Sequence, residues 1–169
     1  MSKRSNFQRI DKDAYMTIDK RATIPLINFY NGEIIRYYEP CVGTHELVAN
    51  LLPNFVCVGY SDQEVDARDT LYDTDAEFFI TNPPWTRKIL HPIIENLRTQ
   101  RPTWLLFDAD WMHTQQAIPY IKYCKTIISV GRVRWIPGTT VDGKDNCAWY
   151  LFVNGETKCE FIPREYRNK

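Results

Sequence analysis

The chain has 169 residues, 44% of them hydrophobic and 25% charged, which is enough for one buried core and too little for two independent ones. Lysine plus arginine equals aspartate plus glutamate at 21 each, so no global field draws the chain onto a polyanion and tight non-specific coating of nucleic acid is not expected. The amino terminus MSKRSNFQRIDKD is polar and no run of about eighteen apolar residues occurs, so a soluble, cytoplasmic protein without a membrane partner is expected.

In chain order, Thr23 to Tyr30 reads as a short helix closed by Asn31-Gly32, and Ile34 to Tyr38 as a strand that stops at Glu39-Pro40. A second short helix is expected from Thr44 to Leu52. Phe55 to Tyr60, Phe78 to Thr81 and Trp104 to Phe107 are brief apolar runs bounded by polar residues or proline, as buried parallel strands are. Between the last two, Ile89, Leu90, Ile93, Ile94 and Leu97 recur at helical spacing, which predicts a helix over Arg87 to Gln100. His113 to Cys124 is a weaker helix, interrupted by Pro119. Ile127 to Trp135 and Ala148 to Val153 read as strands joined by the loop IPGTTVDGKDN, an antiparallel hairpin at the end of the sheet. The alternation predicts a single α/β domain over residues 1–169: a Rossmann-like, mostly parallel sheet with helices on both faces, followed by a tail from 154 to 169.

The sharpest functional signal is Asn82-Pro83-Pro84-Trp85, directly after the strand Phe78 to Thr81, because open α/β sheets bind ligands outside the carboxyl ends of their strands. An exocyclic aromatic amine is a poor nucleophile, its lone pair being delocalised into the ring, so a catalyst draws the amine protons into placed acceptors. The Asn82 side-chain oxygen and the Pro83 carbonyl are candidates for those acceptors. Two consecutive prolines fix the backbone and remove competing N–H donors, and Trp85 offers a flat face for a base. The same four residues also fit a strand terminator with Trp85 plugging the core. Glu39-Pro40-Cys41-Val42-Gly43 after the first strand is a loop where backbone amides can approach a cofactor. Asp62, about twenty positions beyond Gly43, ends the second strand, where nucleotide-binding folds hold ribose hydroxyls. A helix-capping role fits Asp62 as well.

With Glu39-Pro-Cys-Val-Gly43, Tyr60-Ser-Asp62, Arg68-Asp-Thr-Leu71 and Asn82-Pro-Pro-Trp85 in this order, the sequence resembles S-adenosylmethionine-dependent amino-methyltransferases. It is most similar to the small adenine-N6 DNA methyltransferases carried by phages. The resemblance runs from Asp13 to Val153 and includes Gly131-Arg-Val-Arg-Trp-Ile-Pro-Gly138 and Ala148-Trp-Tyr-Leu-Phe152. It implies S-adenosyl-L-methionine as cofactor, DNA as acceptor (RNA adenine or protein glutamine being the alternatives) and direct methyl transfer to a base flipped from the duplex. By the same similarity Tyr15 and Thr17 precede the glycine loop and touch the methionine part, Glu39, Pro40, Cys41 and Gly43 form the loop, Asp62 meets the ribose, and Asp69 lies near the adenine. The catalytic motif is Asn82, Pro83, Pro84 and Trp85, and no metal is implied.

Three departures from the family pattern carry expectations of their own. His45 stands where the family usually has a second glycine and is expected to crowd the cofactor, which leaves a degenerate, binding-only fold as an alternative function. Only Gln63 to Arg68 separate the Asp62 and Asp69 motifs, so a trimmed sheet is expected. No insertion is long enough for a target-recognition region, so a second copy of the chain or a partner is expected to supply recognition.

Asp108, Asp110 and His113 superficially suggest a metal cluster, but a strand-to-helix loop is expected instead, in which Trp111 or His113 lines the substrate cleft or Asp110 caps the next helix. Arg87, Lys88, Arg132, Arg134 and Lys144 are candidates for phosphate contacts. The five cysteines have neither Cys-x-x-Cys spacing nor a histidine at zinc spacing, and read as free thiols.

Overall fold

Alternate residues of a β-strand face opposite sides of a sheet, and the central strands of this chain are apolar on both. In β4 (Thr103–Asp108) Trp104 and Leu106 enter one hydrophobic cluster while Leu105 and Phe107 enter another. In β6 (Cys147–Phe152) Trp149 and Leu151 join the first, whereas Ala148, Tyr150 and Phe152 join the second. Burial of that kind requires helices on both faces. The structure, a computed structural model, describes residues 15–165; the polar amino terminus and residues 166–169 lie outside them.

Seven strands form one sheet in the order β2-β1-β3-β4-β6-β5-β7. The strands β1 (Ile35–Glu39), β2 (Phe55–Tyr60), β3 (Phe78–Thr81) and β4 pair in parallel. β6 runs antiparallel between β4 and β5 (Cys124–Gly131), and β7 (Glu160–Ile162) adds parallel to β5. Two helices, α1 (Ile24–Tyr30) and α2 (Glu46–Leu51), give Leu26, Leu47 and Leu51 to the first cluster. On the opposite face α3 (Arg87–Gln100) gives Leu90, Ile93, Ile94 and Leu97 to the second, with Ile121 of α4 (Ile118–Ile121) packed against it. This is the Rossmann-like α/β arrangement expected from the sequence. No helix among the described residues is long and apolar enough to cross a membrane.

Three elements differ from the sequence reading. The strand expected over Ile127 to Trp135 occupies Cys124–Gly131, because Gly131 adopts φ +93° and turns the chain out of the sheet. The helix expected over His113 to Cys124 is broken into 3-10 turns at Ala109–His113 and Gln115–Ala117 and the single turn of α4. Pro119 sits at the start of α4, where its missing N–H costs nothing. The tail beyond 154 carries β7, so the β5–β6 pair is not the sheet's end.

The crossing from β2 to β3 shapes the site. It contains no helix or strand, and side chains of α3 supply the partners its backbone needs. Asn96 Nδ2 donates to the carbonyls of Ala67 (3.0 Å) and Thr70 (2.8 Å), and Gln100 Nε2 donates to Thr70 (3.0 Å). The Gln100 Oε1 accepts from the Tyr72 N–H at 2.9 Å. With no strand between the two, β2 is the edge of a trimmed sheet, as the short spacing between Asp62 and Asp69 implied.

Candidate functional site

At the carboxyl ends of β1, β2 and β3 lies a cleft of about 440 Å³. Tyr15 and Thr17 reach it from the segment ahead of α1, Glu39, Pro40, Cys41 and Gly43 from the end of β1 and the loop beyond. Asp62 comes from the end of β2, and Asn82 and Pro84 from the end of β3. Pro83 is buried, Trp85 half-buried and Asp69 exposed, and none of the three lines the cleft. Where Asp69 was expected, the wall is made by Asp66, Ala67 and Arg68. Sequence reasoning also missed Glu46, Met16, Ile89 and Ile93 in the lining. Of these only Glu46 carried a signal, as an acidic residue opening a helix beside a glycine loop.

Backbone bonds beyond the strands lash the first two loops together: Ser61 N–H donates to Glu39 O, and Val42 N–H to Ser61 O, both at 3.0 Å. Gly43 has φ +54°, which favours glycine here, and a Cβ would push aside the flexible end of the Met16 side chain. His45 is also left-handed, at φ 69°. Its ring is exposed, stands edge-on to Tyr60 at 4.6 Å and does not line the cleft, which overturns the expectation that it crowds a cofactor.

The cleft is acidic. Glu39, Glu46, Asp62 and Asp66 line it, and Arg68, the one basic lining residue among the described residues, is tied to Asp66 at 2.6 Å. Glu39 is 1% exposed; its Oε1 accepts a long bond from Thr81 Oγ1 at 3.4 Å, and its Oε2 has no partner. Burial pushes its carboxyl up to about 9, Asp62 and Glu46 push the same way, and only the Thr81 bond opposes them. An orphaned buried carboxylate oxygen in such surroundings favours a cationic ligand. Cys41 is pushed up to about 12 by burial and by Glu39, which keeps it a thiol at neutral pH and unsuited to nucleophilic attack.

Asn82 is held at both ends. Its Nδ2 donates to Tyr15 O (3.0 Å) and Thr17 Oγ1 (3.1 Å), while its Oδ1 accepts from Trp85 Nε1 at 3.1 Å. A carbonyl on one side and an indole N–H on the other dictate which way the amide faces. Trp85 Nε1 also reaches Leu106 O at 3.2 Å. Its indole packs against both hydrophobic clusters and lies edge-on to Trp135, with centroids 5.6 Å apart. Trp85 therefore serves at least as the core plug that the sequence also fitted.

Asp108 accepts from Arg87 at 2.8 Å and from the Asp110 N–H at 2.9 Å, so the capping aspartate is Asp108 and not Asp110; Trp111 is buried, and neither it nor His113 lines the cleft. Arg87 is thus engaged with protein, and Arg134, though exposed, has its Nε 3.7 Å from Asp19 Oδ2, whereas Lys88, Arg132 and Lys144 are exposed.

No family model and no curated protein sequence matches the chain. Solved structures are similar at low identity. A Listeria monocytogenes protein described as a class I S-adenosylmethionine-dependent methyltransferase aligns with 89% of the chain at TM-score 0.54 and 8% identity. A dimethyladenosine transferase from Plasmodium falciparum aligns with 77% at TM-score 0.50 and 18% identity. Precorrin-6y C5,15-methyltransferase from Geobacter metallireducens aligns with 88% at TM-score 0.51 and 11% identity. The chain spans 65%, 60% and 94% of these proteins respectively. At such identities the likeness shows the fold, a methyltransferase-type α/β sheet.

Proposed function

We propose that the chain binds S-adenosyl-L-methionine in the acidic cleft and methylates an exocyclic amine beside Asn82, the N6 of adenine in DNA. The observation that carries this reading is the adjacency, in one cleft of a methyltransferase-type sheet, of Glu39's unpartnered carboxylate oxygen and the rigidly held Asn82. When bound, the cofactor supplies an electrophilic methyl group on a sulfonium, transferred directly to nitrogen. Glu39 meets the ammonium end, Gly43 lets the loop backbone approach, and Asp62 accepts from ribose hydroxyls. The Asn82 Oδ1 has a second lone pair besides the one given to Trp85. That lone pair accepts a hydrogen bond from the amine and leaves the nitrogen lone pair free to attack the methyl group, with S-adenosylhomocysteine departing; Pro83, buried behind it, holds the backbone in place.

Because His45 stands outside the cleft, the binding-only alternative keeps the chain's compact size as its motivation but not a crowded cofactor site. Target choice rests on a second copy or a partner, since the loops offer no separate recognition region. The test is incubation with labelled cofactor and duplex DNA, with single-stranded RNA and a glutamine peptide as competitors, followed by nucleoside mass spectrometry. N6-methyladenine in DNA is the expected product, lost in Asn82→Ala while cofactor affinity stays nearly intact. Full turnover by Asn82→Ala, or label found only in RNA or peptide, contradicts the assignment.

A further inference from the structure

Asp108, Cys147 and Gly131 sit opposite one another in neighbouring strands, so the loop 132–146 between β5 and β6 leaves the sheet on the same rim as Asn82 to Trp85. It contains no helix or strand, yet it is fixed at several points. Its base is closed by Gly143 N–H donating to Val133 O at 2.8 Å. The Arg134 N–H donates to Asp19 Oδ2 at 2.9 Å. Arg21, which chelates Asp19 through Nε (2.9 Å to Oδ2), reaches across to Asp142 through NH2 at 2.5 Å. Asp19 is only 5% exposed. Burial alone would raise its pKa, but Arg21 and the two backbone N–H groups hold it at about 2, so the clamp stays charged through the physiological range.

The clamp presents one side chain to the site. Trp135 lies half-buried and edge-on to Trp85, and Gly143 makes room for it, since a Cβ there would come within 2.8 Å of Trp135 Cδ1. Arg132 and Lys144 stand exposed on the same loop. None of residues 132–146 lines the acidic cleft. The loop is therefore placed to act on the acceptor without touching the cofactor.

We propose that loop 132–146 is the acceptor-side wall of the site. In this assignment Trp135, with Trp85, faces the methyl-accepting base, Arg132 and Lys144 meet the flanking phosphates, and the Asp19–Arg21–Asp142 cluster is the positioning device. The inference rests on the methyl-transfer reading above and assigns the surface that receives its nucleic-acid acceptor. Base stacking on an aromatic contributes about 1–3 kcal/mol, which a neutral peptide amide would not recover from two tryptophans and two cations.

The variants are Trp135→Ala, Trp135→Phe and Asp142→Asn, each assayed for cofactor Kd, for duplex DNA Kd by fluorescence anisotropy and for steady-state kinetics. The expected result is a rise of about tenfold in DNA Kd and KM for Trp135→Ala and Asp142→Asn, with cofactor Kd within about twofold of wild type and Trp135→Phe restoring most of the loss. The unchanged cofactor Kd certifies folding and separates acceptor positioning from general destabilisation. If wild type is active and neither variant moves DNA Kd or KM, the loop assignment is wrong and the methyl-transfer reading stands. If wild type methylates nothing yet loses DNA affinity on Asp142→Asn, the loop assignment stands and the methyl-transfer reading is wrong.

Discussion

Glu39 controls the charge of the cleft, and its behaviour follows from a carboxyl raised from 4.5 to about 9 by burial and by Asp62 and Glu46. A carboxyl raised by folding contributes fully to stability below 4.5, and that contribution is lost as pH climbs through about 9. The ligand-free chain is accordingly expected to lose stability across this window, and Glu39→Gln to flatten the loss in thermal melts. An ammonium bound beside Glu39 favours the ionised form, so binding expels a proton. Affinity for S-adenosylmethionine then rises with pH by up to about tenfold per unit below the folded pKa. Calorimetry in buffers of different ionisation enthalpy measures that proton directly; an affinity flat from pH 6 to about 9 contradicts the role given to Glu39. The position of Glu39 at a strand end beside a glycine loop was readable in the sequence. Its orphaned oxygen was not, because that depends on what neighbouring strands bury against it.

At the scale of elements, β2, β3 and α3 were read with the bounds they have, since each is an apolar run cut off by polar residues or proline. β7 was not legible: its three residues are exposed or half-buried, show no alternation, and are a strand only because β5 is there to pair with. The crossing after β2 was readable as short but not as to which of its acids faces inward, and Asp66 and Arg68, not Asp69, line the cleft. That crossing hangs on Asn96. Replacing it by leucine leaves the Ala67 carbonyl without its donor and the Thr70 carbonyl with Gln100 alone, and is expected to cost about 1–3 kcal/mol in urea unfolding and to weaken cofactor binding through the displaced wall. The glycine loop makes the opposite prediction at its two left-handed positions. Gly43→Ala puts a Cβ in left-handed backbone and is expected to cost about 1–2 kcal/mol along with cofactor affinity, as Met16 shifts to make room. His45→Gly is expected to leave cofactor Kd within about twofold, and a tenfold gain would show the imidazole to be inside the cleft after all.

For the whole molecule, a formal net charge of zero concealed a separation of charge. Carboxylates gather in the cleft at the ends of β1 and β2, while Lys88, Arg132 and Lys144 stand exposed on α3 and the β5–β6 loop, which also carries Asp142 and Asp145. A cationic cofactor and a polyanionic acceptor can then approach one reaction point from different sides. Composition could not show this, because it sums charges that only the fold sorts. The measurement closest to the central claim is a titration of wild type and Asp62→Ala with S-adenosylmethionine. The account predicts one-site binding by wild type and a loss of about tenfold in Asp62→Ala. No binding by wild type, or binding that Asp62→Ala leaves untouched, would contradict it.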